Sequence, residues 1–94
     1  MNYQEIELID NIEKHRFELW AEEKCSSIDY KLEGNHLILV HTEVPEELEG
    51  RGIAAALVEK TLRYLQEHNL KMQPFCSYIQ VYLKRHPEWE IIVA

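Results

Sequence analysis

The 94-residue sequence predicts an α+β fold, close to α/β: a minimal, mainly antiparallel sheet that ends in a parallel β-α-β step and carries two main helices. Three observations predict it. Before residue 45, short segments place apolar residues on alternate positions, the period of half-buried strands. From residue 53 to 65 the apolar spacing changes to three and four, the period of an amphipathic helix. A short apolar strand then separates that helix from a second helical stretch, and strand, helix, strand implies a parallel crossover. At 46% hydrophobic and 29% charged residues the chain can build one core and is too short for two, so residues 1–94 read as a single domain.

Ile6, Leu8 and Asp10 alternate with Glu5, Glu7 and Ile9, and Phe17 and Leu19 alternate with Arg16, Glu18 and Trp20. These are two short strands joined around residues 11–14. Residues 27–32 alternate again, and Glu33-Gly34-Asn35 is turn chemistry before a fourth strand over residues 36–44. In that strand Leu37, Ile38, Leu39 and Val40 are apolar on both parities, which predicts a central strand covered on both faces. Pro45 ends it, and an acidic loop over 46–49 leads to a helix that begins near Gly52. Ile53, Leu57, Val58, Leu62 and Leu65 form its apolar stripe, and Glu59, Arg63 and Glu67 are spaced for i, i+4 pairs. His68 and Asn69 close it before a fifth strand over 70–75. Ser77 followed by Gln80 has capping-box spacing, so the second helix starts there and runs to Arg85, ahead of Pro87. Phe17, Trp20 and Trp89 read as core or rim.

Charge narrows the partners. Ten basic against seventeen acidic side chains leave a net charge of −7, which argues against a nucleic-acid partner. Residues 51–86 hold six basic and two acidic groups, whereas residues 1–50 hold four and thirteen. A small anionic ligand finds its counter-charges after residue 50, and the acidic first half can steer a cationic substrate. The longest apolar run, residues 53–58, is six long, so no membrane span is expected. The first ten residues lack the pattern of a secretory signal, and the expected location is cytoplasmic. Cys25 and Cys76 lie 51 positions apart with no clustered partners, so both read as free thiols and no metal site is expected.

The most informative stretch is HTEVPEELEGRGIAAALV, residues 41–58, where a strand passes through a glycine-containing loop into a helix N-terminus. Such a corner suits an anion. Gly50 and Gly52 allow close backbone approach, the amides of residues 50–55 are helix-start donors, and Arg51 supplies the nearest positive charge. The alternative is that the glycines only permit a tight turn. The run Gly50-Arg51-Gly52-Ile53-Ala54-Ala55 also fits GxGxxA, but Met72 stands where a dinucleotide fold needs an acid, and no GK[ST] follows for a P-loop.

The strand, loop and helix resemble the acyl-CoA signature of the GCN5-related N-acetyltransferase (GNAT) superfamily, Q/R-x-x-G-x-G/A, with Gly52 and Ala54 at the small positions. More narrowly, HTEVPEELEGRGIA (41–54) and CSYIQVYLKRHP (76–87) resemble the small single-domain acetyltransferases of the YjdJ type. The resemblance runs through nearly the whole chain from Phe17 onward. It implies the acyl-CoA N-acyltransferase fold, with acetyl-CoA as acyl donor between splayed fourth and fifth strands. The coenzyme A pyrophosphate would lie on Gly50, Arg51, Gly52, Ile53, Ala54 and Ala55, and the pantetheine arm along Val44. Glu49 departs from the signature, which has Gln or Arg there; a carboxylate beside a pyrophosphate is unfavourable unless it turns to solvent.

Acetyl transfer to an amine needs a nucleophile, a base and an acid for the leaving thiolate. Cys76 falls between the fifth strand and the second helix, whose N-terminus can lower a thiol pKa, and in the family this cysteine is associated with the acetyl end of the cleft. It is either that nucleophile or proton carrier, or a small core residue. His41 and Glu43 share a strand parity and are candidate bases beside the thioester, against a packed histidine as the alternative. Tyr78 is a candidate acid, or simply packed. Lys84 and Arg85 either reach the ribose 3′-phosphate or terminate the helix in solvent. The leading expectation is a cytoplasmic acetyl-CoA-dependent N-acetyltransferase, monomer or weak homodimer, acting on a small-molecule amine or a protein lysine. The competing one is a non-catalytic CoA-binding or protein-interaction module. A third is a structural domain whose glycine turn binds nothing.

Overall fold

The computed structural model describes residues 3–94; Met1 and Asn2, which begin the segment read for a signal, lie outside the described residues. Five strands pair in chain order as one sheet: β1 (Ile9–Asn11), β2 (Arg16–Ala21), β3 (Lys24–Glu33), β4 (His36–Glu43) and β5 (Lys71–Pro74). The first three pairings are antiparallel and β4–β5 is parallel. Helix α1 (Ile53–Glu67) joins β4 to β5, and α2 (Ser77–Arg85) follows β5. The expected α+β architecture, parallel step and two main helices are the observed ones.

Burial follows strand parity. Phe17 and Leu19 of β2, Ile28 and Tyr30 of β3, Leu37 and Leu39 of β4 and Met72 of β5 share one core with the stripes of α1 and α2. Both helices therefore cover the same face of the sheet. Each fully buried side chain there contributes about 1.5–3 kcal/mol by leaving water. The predicted stripe of α1 is buried throughout, and Arg63 donates to Glu59 at 2.7 Å on its outer side. On the opposite face of the sheet, Glu18 is buried among donors from Asn11, Arg16 and Trp20. Burial pushes that carboxyl up, but the three donors outweigh it and hold it below the usual carboxylate range.

Four local expectations are corrected. Ile6 and Leu8 pack against the core as their alternation implies, yet only Ile9–Asn11 pairs with β2, and Tyr3–Glu5 forms a 3-10 turn. Asp10, opposite Phe17, accepts hydrogen bonds from the Tyr30 and Tyr64 hydroxyls at 2.7 and 3.2 Å, which lets a carboxylate occupy that position. Strand β3 starts earlier than its alternation suggests, because Glu22 and Glu23 make the β2–β3 turn at φ +52° and +63°. Strand β4 lies between β3 and β5 and buries Leu37, Ile38 and Leu39 on both parities as expected, but cover fails at Val40, which is 37% exposed. The capping box does not form, since Cys76 is the N-cap of α2 and Gln80 donates instead to the Pro74 carbonyl at 2.8 Å.

Past Pro87, where the sequence carries no period, a 3-10 stretch (Pro87–Ile92) buries Ile92, and Val93 bridges Met72. Among the described residues no helix is long and apolar enough to cross a membrane, and no group of His, Cys, Asp and Glu side chains could hold a metal ion.

Candidate functional site

Strand β4 outruns its parallel neighbour. The last β4–β5 pair is Leu39–Pro74, while β4 continues to Glu43. At the same level its register with β3 slips: Tyr30 pairs with Leu39 and Asp29 with His41, which makes Val40 the extra residue of a β-bulge. A bulge reverses side-chain parity. Leu37 and Leu39 face the core, and beyond Val40 it is Thr42, opposite the core residue Ile28, that faces that side. The amides of Phe75 and Cys76 both donate to the Leu39 carbonyl, at 3.0 and 3.2 Å, and end the pairing there.

The loop that follows is anchored by buried Leu48. Gly50 and Gly52 sit at φ +78° and +85°, where a side chain costs about 1–2 kcal/mol. A Cβ built on either glycine meets no atom within 4 Å, so both face open space. Gly52 is the N-cap of α1 without a side-chain partner, and its carbonyl accepts the first helical bond from the Ala56 amide at 3.1 Å. The amides ahead of Ala56 lie at the positive end of the helix dipole with no partner inside the helix.

These segments enclose a cleft of about 460 Å³ lined by Thr42, Val44, Leu48, Glu49, Gly50, Gly52, Ile53, Ala54 and, from α2, Tyr78. Six of the residues marked in the sequence meet there: Val44, Gly50, Gly52, Ile53, Ala54 and Tyr78. Cys76 does not line the cleft; its sulfur is 3.3 Å from Oγ1 of Thr42, which does. Burial pushes the Cys76 thiol up, but hydrogen bonding with the Thr42 hydroxyl and with the backbone at Ile79 and Tyr78 outweighs burial and brings it below its ordinary value. Cys25, on the far face, is pushed up by burial and then by Glu18. Burial likewise raises the Tyr78 phenol, which therefore keeps its proton at neutral pH.

The remaining residues lie outside the cleft. A groove of about 140 Å³ between the helices is lined by Tyr78, Ala55 and Arg85 together with Val81, Tyr82 and His86. Lys84 is exposed and lines neither space. The Arg51 guanidinium meets the Tyr3 hydroxyl and pairs with Glu22 of the β2–β3 turn. His41 and Glu43 share one face, as expected, and the bulge makes it the face opposite the cleft, where they pair with Asp29 and Ser27. Sequence reasoning missed Thr42 and Leu48. A hydroxyl between two ionisable residues at the end of an apolar strand was the available signal for Thr42; nothing in the residue types announces a bulge at Val40.

The GCN5-related N-acetyl-transferase family profile matches residues 16–92. The chain is 42% identical over 59 residues to Protein NATD1 of Gallus gallus and of Homo sapiens, covering 62% of this chain and 54% and 52% of those proteins. Against Protein NATD1 of Xenopus tropicalis it is 45% identical over 49 residues, 52% of this chain and 45% of that one. The chain thus spans about half the length of the curated relatives it matches. Among solved structures, a GCN5-like protein from Staphylococcus aureus superposes with a TM-score of 0.69 at 24% identity, over 100% of this chain and 91% of that chain. At that identity the likeness speaks for the fold.

Proposed function

Because this chain belongs to the GCN5-related N-acetyltransferase family, we propose that it moves an acetyl group from acetyl-CoA to an amine, a small molecule or a protein lysine. One observation carries the reading: a single cleft is lined both by the outward-facing glycines at the start of α1 and by Thr42, whose hydroxyl lies 3.3 Å from the Cys76 sulfur. The open space at Gly50 and Gly52 fits a ligand that must approach the backbone closely. The pyrophosphate would rest on the amides of residues 50–55, with Arg51 beside it, and the pantetheine arm would follow Val44 toward Thr42. Arg85 and Lys84 would meet the ribose 3′-phosphate.

Bound there, acetyl-CoA supplies an activated acyl carbon. The Cys76 thiolate, held by Thr42 and the α2 amides, attacks that carbon; a C–S bond forms to Cys76 and the C–S bond to CoA breaks. The Cys76 proton passes to solvent, the departing thiolate takes a proton from Tyr78, and Tyr78 is reprotonated from solvent. An amine then attacks acetyl-Cys76, the amide forms, and the amine's proton returns to the cysteine sulfur. Direct attack by the amine gives the same products with Cys76 serving only as proton carrier.

Glu49 favours the second reading, a CoA-binding or protein-interaction module without turnover, because this exposed residue stands at the cleft where the family signature has Gln or Arg. Intact-protein mass spectrometry after incubation with acetyl-CoA alone separates the two. A single acetyl adduct that is absent in Cys76→Ala is expected. Absence of the adduct, together with no acetylation of any added amine, would leave the module.

A further inference from the structure

The loop at the mouth of the cleft is tied to a distant turn. Lys24 reaches Glu47 at 3.3 Å, and Arg51 pairs with Glu22. Arg51 is the one Lys or Arg in residues 41–58, a stretch that also holds Glu43, Glu46, Glu47 and Glu49. This cation, which stands between Gly50 and Gly52 in the sequence, is thus held by the Tyr3 hydroxyl and by a carboxylate from another element. Glu22 makes this contact from φ +52°, a conformation that favours glycine or asparagine, so local backbone preference does not account for a glutamate there. Both side chains are nearly half exposed, 47% for Arg51 and 41% for Glu22. An ion pair this open is weak and exchangeable, whereas a guanidinium binds phosphate through two charge-assisted hydrogen bonds.

Resting on the CoA reading above, we propose that Glu22 sets the affinity of the cleft by competing with the pyrophosphate for Arg51. Binding breaks the contacts of Arg51 with Glu22 and the Tyr3 hydroxyl, Arg51 turns to the phosphate, and Glu22 is left solvated. Glu22 is therefore a residue that tunes affinity without touching the ligand, and its action runs through Arg51.

Calorimetric titration of CoA into the unaltered protein, Glu22→Gln, Arg51→Gln and the double variant tests this. Glu22→Gln should tighten CoA by about two- to fivefold, the range of an exposed ion pair, and Arg51→Gln should weaken it. In the Arg51→Gln background the Glu22 substitution should have no effect. Glu22→Asn, which suits that backbone conformation, should reproduce the tightening, and thermal unfolding of each variant verifies the fold. Unchanged or weaker binding in both Glu22 variants would overturn the proposal, as would equal tightening with and without Arg51, which would mean that Glu22 acts by charge alone. Failure of the unaltered protein to bind CoA would instead overturn the function reading itself, and this proposal with it.

Discussion

At Cys76 burial and hydrogen bonding pull the thiol in opposite directions, and hydrogen bonding wins. At Cys25 burial and Glu18 act together and raise it. A mild alkylating agent at neutral pH should therefore label Cys76 first. The advantage should be largest at low pH, where only the lowered thiol yields thiolate, and should shrink as pH rises past both. Thr42→Val removes one hydrogen bond, about 1 kcal/mol, and should slow Cys76 labelling by about fivefold. Equal rates for the two cysteines would contradict the geometry. Glu18 gives a second residue-scale prediction. Its carboxyl is lowered in the folded state, so its contribution is complete above the unfolded value near 4.5 and is lost as pH falls through the folded value. Melting temperature measured from neutral to acid pH should fall more steeply for the parent than for Glu18→Gln. Cys76 was legible in the sequence because it stands between a strand and a helix; Thr42 was not, because the parity that assigns it depends on one inserted residue.

Elements differ in how they can be tested and in how they could be read. Gly52→Ala places a side chain at φ +85°, at about 1–2 kcal/mol. For a domain this size each kcal/mol is about 4–8 °C in melting temperature. The new Cβ touches no atom within 4 Å and projects into open space, so CoA binding should fall by more than the stability loss explains. An equal loss in both would reduce Gly52 to a turn residue. Glu23→Gly tests the other strained turn: it relieves φ +63° and should raise the melting temperature by a few degrees without changing CoA affinity, since Glu22 and not Glu23 holds Arg51. Both helices were legible, α1 from its apolar stripe and α2 from the chain stop at Pro87. Strand β1 was not: Ile6 and Leu8 bury their side chains without backbone pairing, and periodicity reports burial rather than hydrogen bonds.

For the whole molecule, the sheet carries its helices on one face, and the cleft opens where β4 runs on alone beyond Leu39. The glycine end of that cleft was legible, because the glycines and the helix start are local in the sequence. The Thr42–Cys76 contact was not, because those residues meet across 34 positions. Ligand binding to this native site should raise the melting temperature by mass action, by an amount that grows with CoA concentration. The most direct measurement is the map of backbone amide chemical shifts as CoA is titrated in. The largest changes are expected at Val44 and residues 50–55, with smaller ones at Thr42 and Cys76. Changes confined to the other end of the sheet, in the cleft of Gln66, Asn69, Leu70 and Lys71, with the glycine loop silent, would contradict the assignment of the site.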